Sequence, residues 1–333
     1  MVSALPFDDF RNLLGKLPAG DATAATRVRA QFDKADKPQG SLGRLEEIAI
    51  WLANWSGRPP AVNRPLVAIF AANHGVVRHG ISPRPIEATA RSVELSAAGG
   101  AAINQVCLAY DIGLKVFDLA LHLPTADITE AAALDEQGCA ATMAFGMEAI
   151  NGADLLCIGD LGVGNSTVAA AVLAALNGGS GADWVGAGSG ADAAMIRQKA
   201  EVVDAALKLH RDHLTDPFEV LRRVGGREIA AICGAILAAR MERIPVILDG
   251  FAAIAAASVL HAASSTALQH CMIAQASNEP GYGRAIRELG IKPLLDLGVT
   301  HGEGVGAALA AGLVKAAALC SSGMAAALPQ SAR

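Results

Sequence analysis

Two tyrosines, three tryptophans and eight phenylalanines are few for 333 residues, and charged side chains make up only 18% of the chain, against about 25% in an average soluble domain. A core with so little aromatic volume must be assembled from Ala, Leu, Val and Ile. Helices faced with alanine pack closely, and a chain with so few charges is expected to cover part of its apolar surface with a partner; we expect a homodimer. The formal net charge is −5 and no basic run or interleaved aromatic stripe occurs, which argues against a nucleic-acid partner. Cys107, Cys139, Cys157, Cys233, Cys271 and Cys320 include no Cys-x-x-Cys. That excludes a spaced zinc site or disulfide framework and reads as reduced, buried thiols of a cytoplasmic protein. Residues 1–10 include acidic side chains and lack the basic and apolar regions of a secretory leader. The most apolar stretches, 229–239, 246–263 and 304–320, are short or interrupted by Asp249 and Lys315. None gives the roughly 20 uninterrupted apolar residues of a span, so no membrane partner is expected.

Several catalytic signatures are missing as well. There is no G-x-x-x-x-G-K-[ST], so no nucleotide-triphosphate P-loop, no G-x-S-x-G elbow and no H-E-x-x-H. The nearest approach to a dinucleotide fingerprint, Gly186-Ala187-Gly188-Ser189-Gly190, is one residue short. The histidines are dispersed except His210 and His213, which fall on a polar helix end and read as solvated.

What is present is an alternation of short apolar runs with helical segments. The runs 66–72, 114–119, 154–159, 183–186, 245–250 and 268–274 read as strands, several of them unbroken as buried parallel strands are. Helices are expected at 21–36, 44–55, 167–176, 193–210 and 251–262. Strand, turn and helix repeated with short connections predict an α/β fold: a doubly wound parallel sheet with helices on both faces. Residues 1–60 are expected to form a small, mainly helical lobe and residues 61–333 the α/β domain.

Two glycine loops stand at predicted strand-to-helix junctions, 159–167 and 186–192. Free N–H groups and the helix dipole suit such loops to an anion, with Gly162, Gly164, Gly186 and Gly188 giving close backbone approach and Asn165, Ser166 or Thr167 as N-cap. The same glycines also suit plain tight turns, and the loops alone leave both readings open. Both would face one cleft at the carboxyl ends of the strands. His74, after the first strand, either touches a ligand there or is a satisfied turn histidine.

Near the C-terminus one carboxylate stands among glycines, in Thr300-His301-Gly302-Glu303-Gly304-Val305-Gly306, ahead of an Ala-rich segment. Glycine on both sides removes steric cover, and a lone Glu there is suited to act as a general base.

Taken together, Lys37-Pro38-Gln39-Gly40-Ser41-Leu42-Gly43-Arg44-Leu45-Glu46, Asn73-His74-Gly75-Val76, the loop at 159–167, Leu248-Asp249-Gly250-Phe251, Glu279-Pro280 and Gly302-Glu303-Gly304 resemble, in order, segments of the nicotinate-nucleotide:dimethylbenzimidazole phosphoribosyltransferases. The resemblance implies transfer of phosphoribosyl from nicotinate mononucleotide to a benzimidazole-type base in cobalamin lower-ligand synthesis, with no metal or other cofactor. It places the general base on Glu303, a second acid on Asp160 where a Glu is usual, and nucleotide contacts on Gly162, Gly188, Lys199, Gly250 and Ser277. His301 stands where an apolar residue is usual. Arg84 and Ser92 stand in the segment that lines the base pocket, and Arg84 there would favour a more polar or acidic acceptor unless it points to solvent. A diverged transferase using another acceptor and a non-catalytic nucleotide-binding protein are the alternative readings.

Overall fold

A computed structural model describes residues 5–277 and 279–326; the outer ends of the two predicted segments, 1–4 and 327–333, lie outside the described residues. Five parallel strands form one sheet: β1 (Pro65–Ala71), β2 (Gly113–Asp118), β3 (Leu155–Leu161), β4 (Val246–Leu248) and β5 (Cys271–Ile273), in the order β2-β1-β3-β4-β5. The order reverses between β1 and β3, which pair in register from Pro65 opposite Leu155 to Ala71 opposite Leu161. Such a reversal opens a crevice beyond the carboxyl ends of the strands.

The helices before β2 are α1 (Asp8–Leu14), α2 (Ala22–Lys34), α3 (Arg44–Ser56), α4 (Ala88–Ala97) and α5 (Ala102–Tyr110). Between β2 and β4 come α6 (Glu136–Met147), α7 (Asn165–Asn177), α8 (Ala193–His210), α9 (Pro217–Val224) and α10 (Arg227–Met241). The chain closes with α11 (Phe251–Ala263), α12 (Pro280–Leu289) and α13 (Val305–Gly323).

Alternation along the strands builds two cores. Leu66, Ala68, Phe70, Leu156, Ile158, Val246 and Leu248 face α6, α7, α9, α10 and α11. Val67, Ile69, Ala71, Leu155, Cys157 and Ile247 face α2, α3, α5 and α13. Both faces being covered, every residue of β1 is buried, hence its unbroken apolar run. The N-terminal helices divide between the faces: α1 brings Phe7 into a stack on Phe218, centroids 5.3 Å apart, while α2 and α3 share the second core with α13.

The low aromatic content has a direct counterpart in helix packing. Where α6 crosses α10, a Cβ on Gly146 would run into the Ala231 carbonyl and one on Gly234 into the Met143 carbonyl. Backbones this close leave room for glycine only at these two positions. α13 has the length and composition of a membrane-crossing helix, but 56% of it is buried within the fold.

One predicted strand is not formed. Residues 181–183 make a 3-10 turn, and the chain runs without regular structure to α8 at Ala193. Trp184 and Val185 are buried in the core of the first face, so their apolarity reflects burial of a loop. Cys107, Cys139, Cys157, Cys233 and Cys271 are buried and Cys320 is half-buried, all as free thiols.

Candidate active site

Most of the residues singled out in the sequence converge on one cleft at the carboxyl ends of β3, β4 and β5. Arg84, Ser92, Asp160, Gly162, Gly164, Asn165, Lys199, Gly250, Ser277 and Glu303 all line it. Gly186 and Gly188 do not, although Ala187 and Ser189 between and beside them do.

Glu303 lies on the turn into α13. Gly302, Glu303 and Gly304 have φ of 74°, 57° and 77°. For a non-glycine residue the left-handed region costs roughly 1–2 kcal/mol, and it persists where the surroundings dictate it. They do so here. A Cβ on Gly159 of β3 would stand 2.5 Å from the Gly304 nitrogen, so the turn rests directly on the strand. Asp249, just after β4, accepts the Ala307 N–H at 3.2 Å and the Gln275 Nε2 proton at 3.1 Å, fixing the first turn of α13. Burial pushes the Asp249 carboxyl up, and these hydrogen bonds oppose the shift. The Glu303 side chain is 11% exposed and stands 3.4 Å from Nε2 of His301, itself 55% exposed.

Asp160 belongs to β3. Its Oδ2 accepts from Asn165 Nδ2 at 2.6 Å, and Gly250 lacks the Cβ that would otherwise collide with Oδ1. Burial first, and then the like charges of Glu228, Asp249 and Glu303, raise the Asp160 pKa to about 8, against the Ala253 N–H, which lowers it. Near neutral pH the carboxyl therefore carries its proton. Asn165 is spent on Asp160 and does not cap the helix. The N-cap of α7 is Gly164, at φ 90° and with no side-chain cap, a correction to the expectation that Asn165, Ser166 or Thr167 would take that place.

Lys199 and Glu279 stand together at another part of the cleft. Lys199 of α8 is 1% exposed and donates from Nζ to the Gly186 carbonyl at 2.6 Å and to Ser166 Oγ at 3.1 Å. It thereby ties the second glycine loop to the first turn of α7. Burial lowers its pKa and Glu279 opposes the shift. The Gly188 N–H does not point free: it donates to Glu279 Oε1 at 2.6 Å, while Ser277 Oγ accepts the Glu279 N–H at 3.2 Å. The Gly188 N–H is thus taken by Glu279, which lines the cleft in its place.

A third wall follows β1 and leads into α4. Ile81, Pro83, Ala88 and Thr89 line the cleft with Leu161 and Val163 opposite, and Arg84 and Ser92 sit among them. Thr89 Oγ1 accepts the Val163 N–H at 3.1 Å, joining this wall to the first glycine loop.

Two histidine expectations are corrected. His74 is fully buried outside the cleft lining, with Nε2 3.1 Å from a Glu228 oxygen that is equally buried; the turn after β1 points inward, against the start of α10. His210 is buried too, with Nε2 3.0 Å from the Ile128 carbonyl oxygen, because the last turn of α8 docks on the 121–134 segment. His213 is exposed.

Sequence reasoning passed over Asp249, Gln275, Glu279 and Tyr282, which also line the cleft. Asp249 and Gln275 each carried a signal, a polar residue directly after an apolar run, and Glu279 stood in the short Glu279-Pro280 motif. Tyr282 carried none. The 37–46 segment is a brace outside the cleft. Lys37 pairs with Glu46 at 2.8 Å, and Arg44 donates to the Pro293 carbonyl at 2.5 Å and the Lys292 carbonyl at 3.2 Å. The braced strand-like stretch at Leu295 bridges Gln275.

Residues 17–328 match the family described as "Phosphoribosyltransferase". The nicotinate-nucleotide–dimethylbenzimidazole phosphoribosyltransferase of Rhizobium leguminosarum bv. trifolii (strain WSM2304) is 64% identical over 325 residues, 97% of this chain and 96% of that protein. The crystal structure of CobT from Thermus thermophilus has a TM-score of 0.85 at 36% identity, covering 91% of this chain and 97% of that one. A second structure from the same organism, of a nicotinate-nucleotide–dimethylbenzimidazole phosphoribosyltransferase, has a TM-score of 0.84 at 36% identity over 92% and 97%.

Proposed function

The chain belongs to the nicotinate-nucleotide–dimethylbenzimidazole phosphoribosyltransferase family, and we propose that it carries out that transfer with Glu303 as general base. It moves phosphoribosyl from nicotinate mononucleotide to 5,6-dimethylbenzimidazole or a related base, in cobalamin lower-ligand synthesis. The products are nicotinate and α-ribazole 5′-phosphate.

The attacking nitrogen of the acceptor forms a bond to C1′ as the C1′–pyridinium bond breaks, and the electron pair neutralises the pyridinium. The leaving group is already activated. What needs help is the acceptor, which must lose its N–H proton as positive charge develops on its ring. The observation that supports Glu303 for that proton is its over-determined turn: a carboxylate held in the left-handed region between β3 and Asp249, at the lip of the cleft. Asp160, protonated below about pH 8, serves as a hydrogen-bond donor to the ribose and not as a second base. Lys199, with the first glycine loop, holds the phosphate; Gly162, Gly164, Gly250 and Ser277, which line the cleft, give the nucleotide its close approach. The acceptor lies against Ile81, Pro83, Ala88, Leu161 and Val163.

Glu303→Gln tests the assignment. Turnover falls by roughly 10²–10⁴-fold while calorimetry still records nicotinate mononucleotide binding. Turnover near wild type in that variant removes Glu303 from the mechanism.

Arg84 in the acceptor wall favours a second reading, an acceptor carrying polar or acidic substituents. Nicotinate release measured across a panel of bases discriminates: a panel in which dimethylbenzimidazole is inert and another base reacts favours it.

We further read the chain as a cytoplasmic homodimer. The support is Leu108 of α5 and Leu319 of α13, left 81% and 69% exposed on two helices that pack on each other. Light scattering that returns the 33.9 kDa of a single chain overturns the dimer.

A further inference from the structure

Glu303 gains a proton in every turnover and must lose it before the next. The carboxylate is 11% exposed, with β3 behind it at Gly159 and the acceptor in front. Of the titratable groups that line the cleft, most are unsuited to receive that proton. Asp160 is engaged by Asn165 and already protonated. Asp249 is bound by Gln275 and the Ala307 N–H. Glu279 sits on the Gly188 N–H. Lys199 and Arg84 offer no lone pair when charged, and the Tyr282 hydroxyl donates to the Gln275 carbonyl at 3.0 Å. His301 alone combines contact with Glu303, 3.4 Å from Nε2 to Oε2, with contact with bulk water through a side chain 55% exposed.

We infer that His301 is a positioning and relay residue that carries the proton from Glu303 to solvent after each transfer. This rests on the reading of Glu303 as the base. The steps balance. The acceptor N–H bond breaks and an O–H bond forms on Glu303. That proton passes to the lone pair of His301 Nε2, giving imidazolium and restoring the carboxylate. The imidazolium releases its Nδ1 proton to water, and the exposed ring regains its starting tautomer by exchange with solvent. No oxidant, reductant or third substrate enters. The glycine at position 302 makes the contact possible, because its φ of 74° folds the chain back between the two side chains.

The relay is needed only to reset the enzyme, and this gives it a kinetic signature that a purely structural role lacks. His301→Gln and His301→Leu are assayed for nicotinate release in a dilute buffer without imidazole, with enough enzyme to resolve a single turnover and both substrates in excess. The expected result is a burst of one nicotinate per active site, then a steady state slowed about tenfold, a smaller loss than removal of the base itself produces. Added imidazole restores the steady state of the variants and leaves the wild type unchanged, and the KM for nicotinate mononucleotide stays the same. Variants with a wild-type steady state, no burst and no response to imidazole overturn the relay, while an inactive Glu303→Gln keeps Glu303 as base. A slowed rate with neither burst nor rescue also overturns it, reducing His301 to a support of the turn. Full activity of Glu303→Gln overturns both readings together.

Discussion

Gly304 rests on Gly159: a Cβ at residue 159 would stand 2.5 Å from the Gly304 nitrogen and 2.6 Å from its Cα. That contact joins the first turn of α13 to β3 and sets Glu303 and Asp160, the next residue along the strand, at a fixed separation. Precision at the lip of the cleft therefore depends on a missing methyl group beneath it.

Gly159→Ala forces the turn off the strand. Overpacking of this kind costs about 1–3 kcal/mol of stability. A shift of about 1 Å in a reacting group is enough to lower turnover by roughly 100-fold. Denaturation midpoints and kcat measured on the same preparation are expected to show the second effect exceeding the first; unchanged kcat refutes the joint.

Asp160 should leave a mark on stability as a function of pH. In the unfolded chain its carboxyl loses its proton near the ordinary value of 3.8, whereas in the fold it holds it to about 8. The folded state thus binds more protons between these values. Its contribution to stability is full below about pH 4 and is lost as the pH rises through about 8, with a slope of up to about 1.4 kcal/mol per pH unit. Asp160→Asn keeps the acceptor for Asn165 and removes the titration. Stability from urea unfolding between about pH 5 and about pH 8 is expected to fall less steeply in the variant than in the wild type.

Lys199→Met keeps the volume of a buried side chain and removes its charge. The Gly186 carbonyl loses its donor and the phosphate its cation. KM for nicotinate mononucleotide is expected to rise about 10–100-fold, the equivalent of the roughly 1.5–3 kcal/mol of a charge-assisted hydrogen bond, with a smaller change in kcat. Equal losses in kcat and kcat/KM instead would move Lys199 to the transition state.

Arg84 is exposed and lines the acceptor wall. Arg84→Ala is expected to raise KM for a carboxylated benzimidazole about twofold to fivefold, as loss of a partly solvated charge pair does, and to leave dimethylbenzimidazole unaffected. Parallel KM measurements with the two acceptors decide it; equal KM changes mean the guanidinium points to solvent.

The strands flanking the cleft were legible because burial on both faces leaves an unbroken apolar run, as at 66–71 and 155–158. The run at 183–186 misled for the same reason: Trp184 and Val185 are as buried as any strand residue, but no neighbouring strand pairs with them. Glu303 stood out through its glycines, which are needed by a turn with three consecutive positive φ angles. His74 resembled a cleft residue by position alone. Its direction was set by Glu228 of α10, far along the chain and invisible to any local pattern.

Local composition determined what each segment could be: Ala and Gly faces for touching helices, apolar runs for buried strands, glycine for the turns at 164, 188 and 302–304. Which charges meet was decided only by tertiary packing. Lys199 reaches Ser166 and Gly186, Glu279 occupies the Gly188 N–H, and Asp249 anchors α13 because the sheet order brings the ends of β3, β4 and β5 side by side. The raised pKa of Asp160 follows from that convergence. Desolvation and charge proximity depend on what surrounds a group in space, and a residue's neighbours in sequence do not reveal it.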